Sequence, residues 1–272
     1  MNEDMRSALF EKWLVTIRVS LTRLMAYRST FLLSIVAPGI VYYLIKYNLW
    51  ASIFTLQGIE SIQGFTQKEM LEYQAWGLIA FLLTQGFISP AIAEDIRLGR
   101  ISAFLLYPFE FWQFHCAAFT ATQAVQLLIA LVTIFFFIIT GLLSLPSFIP
   151  LVQGLSLALL VGLLWFTIVF MIGITSFWLE ETWTVRIIFF FIAQLFSGSY
   201  FPLEFFPRWL QAILMYTPFP YFTYVPCQLL MGTYQGSFLQ ACGITLLWGV
   251  FTILCARRVW SRGMRLYTAA GM

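Results

Sequence analysis

Six apolar stretches, at about 29–50, 73–93, 117–143, 148–177, 186–203 and 237–256, constrain this chain more than any other feature. A helix that crosses a bilayer needs about 20 predominantly apolar residues. In hydrocarbon the backbone has only itself to hydrogen-bond, so each stretch is expected to be helical. The fifth is the most broken, because Ser197-Gly198-Ser199 interrupts it after Ile187–Phe196. Composition agrees: 61% of residues are hydrophobic and 10% charged, against about 25% charged in a soluble domain. Trp and Tyr are abundant, as at membrane–water interfaces. The net charge of +3 lacks the basic stripe that nucleic acid requires, so no nucleic-acid partner is expected.

The connecting segments predict an orientation. Segments 1–28, 94–116, 178–186 and 257–272 hold twelve of the fifteen basic residues. Lys46, Lys68 and Arg208 hold the rest, and Lys46 stands near a helix end, from which it can snorkel outward. The positive-inside bias therefore predicts that both termini of a multi-pass protein are cytoplasmic. Arg6, Lys12, Arg18, Arg23 and Arg28 interrupt the start, so the first span is expected to be its own insertion signal rather than a cleaved one.

Residues 6–26 carry Leu9, Phe10, Trp13, Leu14, Ile17, Leu21 and Leu24 at three- and four-residue spacing, with charges between them. This pattern predicts an amphipathic helix lying in the headgroup layer. The outer loop 51–72 has room for no more than a short helix. One membrane-spanning domain, 1–272, is expected, because no break in composition marks a second.

Catalytic constellations are missing. His115 is the only histidine, which excludes a histidine metal cluster; it reads as an interfacial aromatic-like residue. Cys116, Cys227, Cys242 and Cys255 have no metal-like spacing. No GxxxxGK[ST] loop occurs, so the chain is not expected to bind ATP by that route. Charges inside the spans are almost absent, which disfavours an ion-coupled carrier.

The most informative segment, about 94–110, reads Glu94-Asp95-Ile96-Arg97-Leu98-Gly99-Arg100-Ile101-Ser102-Ala103-Phe104-Leu105-Leu106-Tyr107-Pro108. Gly99 permits a sharp turn. Ile101, Phe104 and Leu105 form an apolar face, and Pro108 ends the helix. Nothing else in the chain is expected to cover that face, so it should dock a partner. A second segment, about 198–222, runs Gly198-Ser199-Tyr200-Phe201-Pro202-Leu203-Glu204-Phe205-Phe206-Pro207-Arg208-Trp209-Leu210 and continues to Thr217-Pro218-Phe219-Pro220. Its prolines predict two short half-helices in a re-entrant hairpin, tolerated at membrane depth only when buried or facing a wet cavity.

The acidic–Arg–Gly–Leu-Leu-x-Pro pattern resembles the coupling-helix loop of type-2 ABC exporter permeases. The segment with Phe-Pro-Leu-Glu and Pro-x-Trp-Leu resembles that family's outer segment after span five. The spelling is similar to a bacterial subgroup likened to viologen or daunorubicin multidrug exporters. The Pro-Arg-containing loop usual in polysaccharide exporters is not seen.

The resemblance implies an all-α membrane protein with six transmembrane helices, an N-terminal interfacial helix and a re-entrant extracytoplasmic hairpin before the last span. It implies an exporter permease, not itself an enzyme, with two cytosolic ATPase subunits that bind ATP and Mg, and a second permease, identical or a sister. Glu94, Asp95, Arg97, Gly99, Ile101, Phe104, Leu105 and Pro108 are the expected coupling residues. Gly198, Phe201, Pro202, Glu204, Pro207, Trp209 and Pro218 are expected at the re-entrant gate. Ser34, Ala37 and Gly39 are expected at the permease–permease contact. An amphipathic or hydrophobic substrate is expected. The competing readings are a polysaccharide- or lipid-exporting permease, a secondary carrier and an assembly factor.

Overall fold

The computed structural model describes residues 3–26, 28–85, 91–106, 109–144 and 146–267. Helix α1 (Glu3–Ala26) is followed by α2 (Arg28–Gln57) and by a hairpin of β1 (Ser61–Ile62) with β2 (Phe65–Thr66). Then come α3 (Gln67–Gln85), α4 (Ala91–Arg97), α5 (Ile101–Leu106), α6 (Phe111–Ile139) and α7 (Phe148–Ile174). After a 3-10 turn at Thr175–Phe177 the chain forms α8 (Trp183–Phe196), α9 (Arg208–Leu214), α10 (Tyr224–Met231) and α11 (Phe238–Leu266).

Local chemistry sets several of these boundaries. In the hairpin, Gln63 and Gly64 both have positive φ, 50° and 85°, the twist that a two-residue connection requires. A hairpin therefore stands where at most a short helix was expected. Helix α3 starts at a reciprocal cap: the Thr66 amide donates to Glu69 Oε2 at 2.9 Å and the Glu69 amide to Thr66 Oγ1 at 3.4 Å. Helix α6 starts six residues before the expected span, because Glu110 and Gln113 close another capping box.

Among the described residues, three helices are long and apolar enough to cross a bilayer: Phe111–Ile139, Phe148–Phe177, which takes in the 3-10 turn, and Phe238–Leu266. The second lies at the hub, with 72% of its most apolar window buried against 22% and 17% for the other two. It packs against α3, α10 and α11, while α6 and α2 lie on α3 and α1 lies along α6. Trp13 of α1 meets Phe109 edge-on at 5.6 Å and Trp112 at 6.3 Å.

Close approach at the hub rests on Gly162. A Cβ there would come within 2.8 Å of the Leu83 carbonyl oxygen and of the Gln123 amide, which itself donates to Leu83 O at 2.7 Å. Two polar contacts tie helices together inside the bundle, while the Gln126 amide is buried with neither its nitrogen nor its oxygen paired. Gln194 of α8 donates to Gln85 at 2.7 Å, and Thr84 donates to the Phe222 carbonyl at 2.7 Å. In an apolar surround, unpaired amides would be costly.

The clusters also sort the loops by end. Ile92, Ile96, Ile101, Phe111, Phe166, Phe170 and Ala256 share one apolar cluster. It gathers the segments around 91–111, 174–177 and 256–267 at one end, the end rich in arginine. Trp50, Phe54, Met70, Phe65, Phe201 and Phe205 share another at the opposite end.

Candidate functional site

At the arginine-rich end, α4 and α5 form a bracket with Gly99 at its corner. Gly99 has φ 69°, its amide bonds Ile96 O at 3.1 Å and the Arg100 amide bonds Asp95 O at 2.8 Å. That is a left-handed glycine closing a helix. The Arg100 guanidinium then folds back onto Asp95 at 3.1 Å and Glu94 at 3.4 Å.

The bracket is fastened to elements distant in sequence. The Tyr267 hydroxyl donates to the Gly99 carbonyl at 2.8 Å and lies 2.9 Å from Ser102 Oγ. Arg97 pairs with Glu181 at 3.0 Å. The His115 ring is buried, with Nε2 3.5 Å from Asp95 Oδ2, an ion-pair separation with Nε2 outside hydrogen-bond geometry. Burial pushes the Asp95 carboxyl up, but the adjacent His115 and Arg100 outweigh it and hold it below its ordinary value. His115, expected at the interface, instead sits among the rings of Phe111, Phe114 and Phe170.

The expectation that nothing in the chain covers Ile101 and Phe104 is overturned. Ile101 is 1% exposed, and the Phe104 ring meets Phe111 at 5.2 Å and Phe114 at 5.3 Å. The bracket folds onto the ends of α6, α7 and α11, and Phe111 in turn stacks on Trp260 at 5.2 Å. Among the described side chains of the bracket, the large apolar ones left outward are Leu98, 51% exposed, and Leu106, 87% exposed. Trp178 and Leu179 are also exposed, beside the Glu181 that holds Arg97. Pro108 and the side chains of Leu105 and Ser34 lie outside the described residues.

At the opposite end, α8 stops at Phe196 because Gly198 turns left-handed, φ 81°. The carbonyls freed there are taken up by three helices. Tyr73 of α3 donates to Gly198 O at 2.7 Å and Tyr42 of α2 to Ser199 O at 3.0 Å. The Tyr224 amide of α10 donates to Ser197 O at 2.9 Å. Lys46 does not snorkel outward. It is 7% exposed and donates to Tyr200 O at 2.7 Å and Ser199 O at 3.3 Å, a cation where the dipole of α8 ends.

Pro202, Pro207 and Pro218 each precede a short helical turn. Phe201 packs on Phe205 and Phe206, while Trp209 is exposed. Glu204 accepts from the Tyr224 hydroxyl at 2.7 Å and from Gln228 at 3.5 Å. These residues, with Tyr216, Tyr221 and Tyr234, line a cavity of about 610 Å³. On α2, Ala37 is exposed, but a Cβ on Gly39 would stand 3.4 Å from Leu78 of α3. Gly39, half-buried, thus packs in part against its own bundle.

Sequence alone does not mark Lys46, Tyr267 and His115 as site residues. Their partners are remote in sequence, and only a three-dimensional neighbour reveals them.

No curated protein matches the chain. The family model described as ABC-2 family transporter protein matches residues 40–271, which takes in the α4–α5 bracket, the break after α8 and the spanning helices. Its members are membrane transport subunits that work with an ATP-binding partner and are not themselves catalytic. This chain therefore belongs to the ABC-2 transporter family, as a multi-pass membrane component.

Proposed function

We propose that the chain is the permease subunit of an ATP-driven exporter in a bacterial inner membrane, with both termini cytoplasmic. In this reading α2, α3 and α8 complete a set of six spans with α6, α7 and α11. The segment from Gly198 to Phe222 is a re-entrant hairpin on the outer side, and α1 rides at the inner surface. Two copies, or the chain and a sister permease, pair and bind two ATPase subunits, which hold ATP and Mg.

One observation carries the coupling assignment. The α4–α5 bracket is bonded to the end of α11 through Tyr267, packed on α6 and α7 through Ile101 and Phe104, and tied to the α7–α8 connection through Arg97. A load applied to its outward residues Leu98 and Leu106 reaches all of these helices. Closure of the ATPases then moves the inner ends of the bundle together. At the outer end the bonds from Tyr42, Lys46 and Tyr73 to the 198–200 carbonyls break and reform as the path opens. Glu204 and the tyrosine-lined cavity form the outer vestibule of that path. An amphipathic or hydrophobic cargo suits walls of aromatic and amide side chains.

Co-expression with an ABC-type ATPase, affinity capture of the permease and drug-efflux measurement on inverted vesicles test this reading. Stoichiometric recovery of the ATPase with ATP-dependent uptake is the expected result. Transport that persists without any ATPase and follows a proton gradient would establish a secondary carrier instead.

A further inference from the structure

The last three turns of α11 carry Arg257, Arg258, Arg262 and Arg265, and with Ser261 these arginines line a groove of about 400 Å³. All four are exposed, and among the described residues none of them is in an ion pair. The Ser261 hydroxyl turns back onto the Arg257 carbonyl at 2.9 Å, so the groove presents only cationic donors. Guanidinium groups hold phosphate oxygens in a paired, planar geometry that ammonium groups lack.

What identifies the occupant is the surface that leads into the groove. Leu247, Val250, Phe251 and Leu254 are exposed by 66%, 57%, 53% and 50%. At helical spacing they continue directly into Arg258, Arg262 and Arg265. The opposite side of the helix buries Thr245, Thr252, Ala256 and Gly263. One outward face of α11 is thus apolar along its length and cationic at its end, with a single turn, about 5.4 Å, between Leu254 and Arg258. An acyl chain laid on the upper part brings its own phosphate to the lower. In a bilayer this stripe faces acyl chains, so the anion nearest the arginines is a lipid's own phosphate.

We propose that this face is a binding site for an anionic phospholipid, its phosphate held by Arg258, Arg262 and Arg265 and its acyl chain along Leu247, Val250 and Leu254. The site rests on the chain's membrane location and is independent of how it is powered.

Native mass spectrometry of detergent-purified protein, with phosphatidylglycerol or phosphatidylcholine added, reads the site directly. The wild type should retain phosphatidylglycerol in preference. The preference should fall by about fivefold for each arginine replaced by glutamine in Arg258→Gln/Arg262→Gln. Arg258→Lys/Arg262→Lys, which keeps the charge, should fall in between, and Arg97→Gln should match wild type. Equal retention of the two lipids overturns the proposal. So does a preference that the double glutamine variant keeps, because the basic residues then act only as a general charge excess. Inorganic phosphate displacing the lipid at equal molarity would assign the groove to a soluble anion. Undiminished lipid retention in the double glutamine variant with loss of ATPase capture would assign it to a protein contact.

Discussion

The hydroxyl of Tyr267 donates to the carbonyl of Gly99 at 2.8 Å across 168 residues of sequence, so the end of the last helix closes the corner of the α4–α5 bracket. A hydrogen bond of this kind contributes about 1 kcal/mol. Tyr267→Phe keeps the ring against Phe177, 6.3 Å away, and removes only the hydroxyl. The variant is expected to fold and to capture the ATPase, with transport per ATP hydrolysed falling severalfold. Parallel vesicle uptake and phosphate-release assays measure that ratio.

Leu106 and Phe104 should separate docking from folding. Leu106 is almost wholly exposed while Phe104 packs inside its own chain. Leu106→Asp is expected to leave expression and melting temperature unchanged and to abolish ATPase capture. Phe104→Asp should instead lower stability, by about 3 kcal/mol or more for an unpaired charge among rings. Thermal unfolding in detergent and affinity capture, run on both variants, check the split.

Asp95 supplies a pH dependence. Its folded carboxyl is held below its ordinary value by His115 and Arg100, with Glu94 the other charge on Arg100. Its stabilising contribution is therefore fully present above the unfolded value of about 4 and lost as the pH falls through the lower folded value. Between pH 5 and 8 this group should contribute no slope. Asp95→Asn should melt earlier than wild type throughout that range, and the gap should close in strong acid. Melting temperatures from pH 3 to pH 8 show it.

Gly198 is expected to tolerate no side chain. Its φ is 81°, and a Cβ would stand 2.8 Å from both Tyr224 Cβ and the Tyr73 hydroxyl. Gly198→Ala should cost about 1–3 kcal/mol and loosen the carbonyls that Tyr73 and Lys46 hold. Lys46→Met removes the cation that caps α8 and is expected to reduce transport while preserving ATPase capture. Cysteine accessibility at Ser199 should rise in both.

Topology and pairing have their own tests. Cysteines at Gln63 and Gly236 should react with an impermeant reagent in intact cells, and one at Arg97 should not. Cysteines at Ala37 and at Phe191, on the exposed face of α8, should crosslink between permeases. Crosslinks confined to α6 and α7 would place the pairing surface elsewhere.

The sequence by itself determined the solvent and the element type. Long apolar stretches leave helices as the only economical backbone in lipid, and the hub helix runs over Phe148–Phe177. Gly99 and Ser197-Gly198-Ser199 announced their turns, because left-handed backbone favours glycine. Which face of each helix is inside was decided only by tertiary structure. Ile101 and Phe104 have the spacing of a docking face, and in lipid or water that spacing reads the same. Their burial depends on Phe111 and Trp260, which approach only when α6 and α11 are packed. Lys46 likewise reads as a snorkelling cation until the end of α8, some 150 residues later, brings it two carbonyls. Apolar residues are required on every surface of a membrane helix, so periodicity, which separates core from surface in water, carries little of that information here.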